Sequence, residues 1–271
     1  MSTRNLLKGV ALYLLVAYGL VTAYANLVRY AGLPTTGLTP FLTILAFGFA
    51  VLHAIVSLGL PRALLFVALT FAISLVLESV GVLTGLVYGP YHYTTKLGPM
   101  FLGLVPYLIP LAYFMMIYPA RVIAEGLIGD RLGGGRRRVV GLALASAVAV
   151  TAWDVLMDPM MVRLGFWVWE VDGGYFGVPL HNYAGWLATT FCVYALYGWL
   201  ERRLKPVRLE FDPPFVRLAV WSYSITWLGN SAAALELGLQ GPVLAGAFSI
   251  GIVALLALFL VPSRPRATMP E

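Results

Sequence analysis

The sequence predicts an all-α fold, a polytopic integral membrane bundle of about eight transmembrane helices. Three observations carry that expectation. Of 271 residues, 60% are apolar and 11% are charged, less than half of the roughly 25% charged share usual in soluble domains. The mean hydropathy of +0.85 is spread along the whole length, as repeated spans of about 20 apolar residues require. The basic residues lie between apolar runs, so the net charge of +6 at pH 7 reads as a topology signal and not as a nucleic-acid surface.

The elements follow in order. The first run, about 7–28, comes after Arg4 and Lys8 and superficially resembles a signal peptide. It continues without a convincing cleavage site, so it is read as a retained span. Further apolar runs cover approximately 41–60, 63–87, 100–124, 139–160, 183–200, 216–236 and 241–261, each bounded by charge, Pro or Gly. With the N-terminus inside, all of the 18 Lys and Arg except Arg29, Lys96 and Arg163 fall on cytoplasmic pieces, which supports an even helix count and places both termini in the cytoplasm. Residues 1–271 are read as one membrane domain. The loops Glu125–Arg138 and Glu201–Phe215 look like solvated linkers, with Pro213-Pro214 in the second, and the tail Ser263–Glu271 is expected to be disordered. Pro99, Pro106, Pro110 and Pro119 are expected to kink the fourth helix. Trp167, Trp169 and Tyr175 fit either an interfacial aromatic belt or a site lining.

The informative residues are the carboxylates inside apolar helices, because a charge at bilayer depth is costly and marks function. Glu78 lies 16 residues beyond Arg62, and Asp154 lies 16 beyond Arg138, so both sit about 24 Å from the cytoplasmic boundary. Asp158 is one turn further along the face of Asp154. Ser74, Gly81 and Gly85 share the Glu78 side, and Gly81-x-x-x-Gly85 reads as a small-residue pattern for close helix approach. Asn230 falls about 20 Å deep on the seventh helix, as a site residue or a helix–helix hydrogen-bonding group, and Glu236 ends that helix. Glu170 and Asp172 read as solvated turn acids.

Three histidines, His53, His92 and His181, lack the HxxxH spacing of a membrane di-iron centre. His92 and His181 lie in outer connections and with an acid could hold a single metal. His53, alone in an apolar helix, reads as a satisfied polar residue of the bundle. Cys192, the single cysteine, excludes an intrachain disulfide and multi-thiolate metal sites and reads as a small apolar residue.

The segment of about 70–200 resembles the carotenoid biosynthesis family of membrane hydratases, which includes bacterial carotenoid 1,2-hydratases and archaeal bisanhydrobacterioruberin hydratases. The residues that carry the resemblance are Glu78-Ser-Val-Gly-Val-Leu-Thr-Gly85, Tyr88-Gly-Pro-Tyr-His-Tyr93, Leu97-Gly-Pro99, Val105-Pro-Tyr-Leu-Ile-Pro110 and Met116-Ile-Tyr-Pro-Ala120. They continue with Trp153-Asp154, Asp158-Pro159, Gly165-Phe-Trp-Val-Trp169, Tyr175-Phe-Gly-Val-Pro179 and Asn182-Tyr-Ala-Gly-Trp186. Tyr113 departs from the Trp expected at its position.

The resemblance implies water addition to the terminal double bond of an acyclic C40 or C50 carotenoid, giving a tertiary alcohol, with no cofactor and no metal. The lipid bilayer and neighbouring carotenoid-pathway membrane enzymes are the implied partners, and the cell membrane is the implied location. The residues suit that chemistry. A carboxylic acid kept neutral by burial can protonate carbon, and an ionised one can take a proton from the incoming water. Asp154 or Glu78 is expected to be the donor, with Asp158 orienting or activating water. Tyr88, Tyr91, His92, Trp153, Trp167, Asn182, Trp186 and Asn230 are the expected substrate-binding residues, the aromatic ones either facing a cation or lining a polyene channel. Two alternatives stay open. Asp154-x-x-x-Asp158 has the spacing of a magnesium-binding pair of intramembrane prenyltransferases, although no second acidic cluster accompanies it. The acids also suit a proton-relaying transporter or lipid-binding protein.

Overall fold

The computed structural model describes residues 2–33, 35, 37–205 and 212–261. The basic residues Arg208, Arg264 and Arg266 and the tail Ser263–Glu271 lie outside these. Eight long helices dominate the described residues: α1 (Thr3–Tyr30), α2 (Leu38–Leu58), α3 (Leu60–Thr84), α4 (Leu108–Ile128), α5 (Gly135–Leu164), α6 (Leu180–Leu200), α7 (Pro213–Glu236) and α8 (Gln240–Leu260). The last contains a π-helical turn at Ala247–Gly251. Short strands β1 (Tyr91–Tyr93), β2 (Met100–Phe101), β3 (Val105–Pro106) and β4 (Trp167–Trp169) occupy the connections.

The protein is an all-α polytopic membrane protein. Six of the helices are long and apolar enough to cross a membrane by length and composition; α6 and α7 are not among them. These two bury polar faces, with Asn182, Thr189 and Thr190 on α6 and Ser222, Ser224 and Thr226 on α7, which lowers their hydropathy while keeping the polar atoms away from lipid. The central helix is α4, which packs on α2, α3, α5, α7 and α8. Large apolar side chains cover the outside instead, among them Leu27, Leu83, Val148 and Phe259, as a bundle solvated by lipid requires.

Helix ends explain how the site is framed. Gly59, at φ 81°, alone separates α2 from α3. Gly85 and Gly165, at φ 69° and 68°, end α3 and α5 in the left-handed region that favours glycine. Both ends lead into the antiparallel ribbon β1–β4, where Tyr91 faces Trp169, His92 faces Val168 and Tyr93 faces Trp167. Lys96 Nζ donates to the carbonyl of Leu164 at 2.6 Å, and Thr94 Oγ1 to that of Gly165 at 2.8 Å, tying the ribbon to the end of α5.

Several expectations are corrected. The fourth helix starts at Leu108, and residues 100–106 form the hairpin β2–β3. Pro99 and Pro106 supply no N–H, and Val105, preceding a proline, is pushed to extended backbone. Pro110 sits in the first turn of α4, where a missing N–H costs nothing, leaving Pro119 as the proline inside that helix. Pro213-Pro214 open α7 instead of lying in a loop, with Asp212 capping the Phe215 N–H at 3.2 Å. Cys192 is exposed on α6.

Candidate active site

Glu78 is buried on α3, 3% exposed, and three phenols converge on it. Tyr91 and Tyr93 of β1 donate to Oε2, the latter at 2.8 Å, and Tyr113 of α4 donates to Oε1 at 2.6 Å. Strand geometry explains the pair from β1: residues two apart point to one face of the ribbon, so Tyr91 and Tyr93 turn inward together. A second layer continues from Tyr113. Its hydroxyl lies 3.0 Å from that of Tyr88, which lies 2.8 Å from Thr189 Oγ1 on α6. Because Tyr113 commits its hydrogen to Glu78, Tyr88 can donate to Tyr113. Burial, reinforced by the charge of Glu78, pushes the hydroxyls of Tyr88, Tyr91 and Tyr93 well above the ordinary phenol range, so they remain donors.

The ring of Tyr88 is clamped between two glycines. A Cβ on Gly81 would meet its Cδ2 at 2.7 Å, and one on Gly185 would meet its Cδ1 at 2.6 Å. Gly81 therefore makes room for an aromatic ring, and Gly85 caps α3; the pair is not a helix–helix contact, as its spacing had implied.

The second acidic group lies on α5. Asn182 of α6 donates to Oδ2 of Asp154 at 2.8 Å and to Oδ2 of Asp158 at 2.7 Å, and Trp167 Nε1 of β4 donates to Oδ1 of Asp158 at 2.6 Å. Asp154 Oδ1 is buried with no hydrogen-bond partner among the described residues. Pro159, next to Asp158, has no N–H for the carbonyl of Val155, and Tyr175 fills that gap with a hydroxyl at 3.1 Å. The Tyr175 phenol is pushed up to about 12, mainly by burial.

These groups frame one cleft with about 690 Å³ of atom-free space, counting its open part. Glu78 and Asp158 both line it, whereas Asp154 does not. The walls are aromatic. Tyr113 stacks on Trp186 with ring centres 4.4 Å apart, and Trp153 meets Trp186 edge-on at 5.9 Å. The ribbon contributes Tyr91, Tyr93, Trp167 and Trp169 as a roof.

Of the expected binding residues, Tyr88, Tyr91, Trp153, Trp167, Asn182 and Trp186 line this cleft. Two do not. His92 occupies the opposite face of the ribbon from Tyr91 and Tyr93, where it is exposed and pairs with Glu170 at 3.2 Å. Asn230 lines a neighbouring cavity instead. His181 is exposed at the start of α6, and among the described residues no three His, Cys, Asp or Glu side chains gather to hold a metal ion. The sequence reading does not single out Tyr93, Tyr113 and Thr189 for the site, and it leaves Trp169 between belt and site lining. The alternation Tyr-His-Tyr and Trp-Val-Trp was the signal available for the two in the ribbon.

Fold and site together define a polytopic membrane protein that seals carboxyl groups from two helices beside an aromatic-walled cleft. The chain matches the model of the family described as "Carotenoid biosynthesis protein" over residues 38–253, and it belongs to that family. It is 34% identical over 159 residues to the bisanhydrobacterioruberin hydratase of Haloarcula japonica, a match covering 56% of this chain and 50% of that protein. The chain thus spans about half the length of this curated relative. No solved structure matches it.

Proposed function

We propose that the protein is a carotenoid hydratase of the cell membrane, adding water to the terminal C=C of an acyclic C40 or C50 carotenoid without a cofactor. The observation that carries this reading is the meeting of Glu78 and Asp158, from different helices, in one aromatic cleft. Family membership and the hydratase activity named for the similar Haloarcula protein support the substrate class. The charge distribution supports cytoplasmic termini, with the β1–β4 ribbon on the outer side.

In the proposed mechanism, Asp158 replaces Asp154 as the group that meets substrate, because Asp158 lines the cleft. The pair Asp154–Asp158 holds one proton between two close carboxyls bridged by Asn182. Asp158 gives that proton to the less substituted alkene carbon, breaking the π bond and leaving a tertiary cation. Aromatic faces of Trp186 and Trp153 stabilise the cation in a dry site. Glu78, surrounded by three phenol donors, serves as the anionic partner. Water attacks the cation, its extra proton passes to Glu78, and return of that proton to Asp158 closes the cycle with a tertiary alcohol as product.

The prenyltransferase alternative fits less well, because the Asn182 amide occupies the position between Asp154 and Asp158 where a bridging magnesium ion would stand. The deciding experiment is expression in a host that makes acyclic C40 or C50 polyenes, with pigment mass recorded. The expected result is a gain of one water that is lost in Asp158→Asn and in Glu78→Gln. Unchanged pigments with the wild-type protein would overturn the reading.

A further inference from the structure

A second cavity adjoins the acidic cleft. It lies between α1, α2, α5 and α7, and it shares Thr39, Thr43, Met115, Trp153 and Met161 with the cleft. Its other walls are unusually polar for a membrane bundle. Thr22, Asn26 and Arg29 follow one face of α1 at helical spacing, opposite Thr226 and Asn230 on α7. Arg29 is held at the end of this stripe by Asn26 at 3.2 Å and Thr35 at 2.8 Å. From Tyr18 to Arg29 the stripe runs about 16 Å along the helix, from the end of α1 down to the level of Trp153.

Hydration consumes one water per turnover, yet the cleft holding Glu78 and Asp158 is walled mainly by apolar and aromatic groups. The polar cavity solves that supply problem. The space within it open to water-sized centres is about 90 Å³, room for several waters at the roughly 10–15 Å³ that one water needs on that measure. Its polar wall offers the several hydrogen-bond partners that a held water needs. Between the two spaces stands Trp153, 3% exposed, whose indole N–H has no hydrogen-bond partner among the described residues.

We propose that the cavity lined by Thr22, Asn26, Arg29, Thr226 and Asn230 holds and delivers the water that captures the substrate cation, past Thr43 and Trp153. This rests on the hydratase reading above. Asn230 is then a positioning residue for water and has no contact with the polyene.

The test uses Asn230→Leu, which keeps the volume and removes the polarity, with the whole protein in detergent, a C40 acyclic polyene and D2O. Protonation and capture are read separately. Deuterium delivered to the alkene carbon appears in recovered substrate whenever the cation loses a proton instead of meeting water. The expected result is an about tenfold fall in hydration, the worth of one hydrogen bond to the captured water, with deuterium in recovered polyene maintained or raised. Asn230→Ser, which keeps a hydroxyl in the wall, is expected to restore the wild-type ratio of hydration to exchange. Hydration and exchange falling together in Asn230→Leu, or a wild-type ratio in that variant, would overturn the water assignment while leaving the hydratase reading intact. A wild-type protein that neither hydrates nor exchanges overturns both.

Discussion

Asn182 and Asp158 are joined at 2.7 Å, amide nitrogen to carboxylate oxygen, and the same nitrogen reaches Asp154 at 2.8 Å. One amide group thereby fixes two carboxyls that lie one helical turn apart. Its removal strips a partner from both at once. Asn182→Leu is expected to cost about 1–3 kcal/mol of stability, the penalty for leaving buried polar groups unpaired, and to lower hydration more than it lowers stability. Thermal unfolding in detergent and pigment mass read the two effects separately. Wild-type hydration in Asn182→Leu would remove the amide from the proposed site.

The phenols around Glu78 are expected to act unequally. Tyr113 donates directly to the carboxylate at 2.6 Å, whereas Tyr88 lies 3.0 Å from the Tyr113 hydroxyl and reaches Glu78 through it. A hydrogen bond to a charged group contributes about 1.5–3 kcal/mol, so Tyr113→Phe should slow turnover by about 10- to 100-fold. Tyr88→Phe should slow it less. Neither change alters the volume of the cleft, so KM is expected to hold while kcat falls; equal losses in the two variants would contradict the ordering.

Much of this arrangement is legible in the residues, and the illegible part has a physical cause. Hydropathy and charge locate the helices because lipid imposes a period and a length on every span. Burying a carboxylate is so costly that Glu78, Asp154 and Asp158 announce themselves without an alignment. The hairpin at 100–106 hides inside an apolar run, since hydropathy alone does not separate a buried helix from a strand and a proline such as Pro106 fits a kinked helix as well as a turn. The strand's period of two is what separates His92 from its neighbours, putting Tyr91 and Tyr93 on one face of the ribbon and His92 on the other. The meeting of Tyr113 with Glu78 depends on how α4 turns against α3, which no local pattern records.

His53, buried on α2, has both ring nitrogens satisfied. Its Nδ1 lies 2.6 Å from the Tyr118 hydroxyl of α4 and its Nε2 lies 2.7 Å from the Phe215 carbonyl of α7. With Nε2 carrying the hydrogen, the ring donates to the carbonyl and accepts from the phenol, and it also stacks on Phe215 at 4.3 Å between ring centres. One side chain of α2 therefore links three helices. His53→Leu is expected to destabilise the bundle by about 1–3 kcal/mol, seen as a lowered melting temperature, while the turnover of protein that remains folded stays at the wild-type level. A specific loss of kcat at low temperature would instead draw His53 into the catalytic apparatus.

The contact between α1 and the start of α7 carries a pH signature of definite sign. Lys8 Nζ donates to Asp212 Oδ2 at 2.5 Å, and this bond is the main reason that the Asp212 carboxyl sits below its ordinary value of about 3.8. A carboxyl depressed in the folded state contributes stability that is fully present above its unfolded value and is lost as pH falls through the folded one. Both side chains are partly exposed, 23% and 31%, so solvent screening keeps the contribution small. Asp212 also accepts the Phe215 N–H as the cap of α7, and that acceptor survives removal of the lysine. Lys8→Met is therefore expected to lower the melting temperature slightly between pH 5 and pH 7, a loss of stability within the roughly 0–1 kcal/mol of surface pairs. The gap between variant and wild type should close as pH falls below the aspartate range and should shrink in high salt. A gap that is absent or does not change with pH would mean that the pair adds nothing to stability and that α1 is fastened to α7 by its other contacts, among them Tyr18 with Thr226 at 2.9 Å.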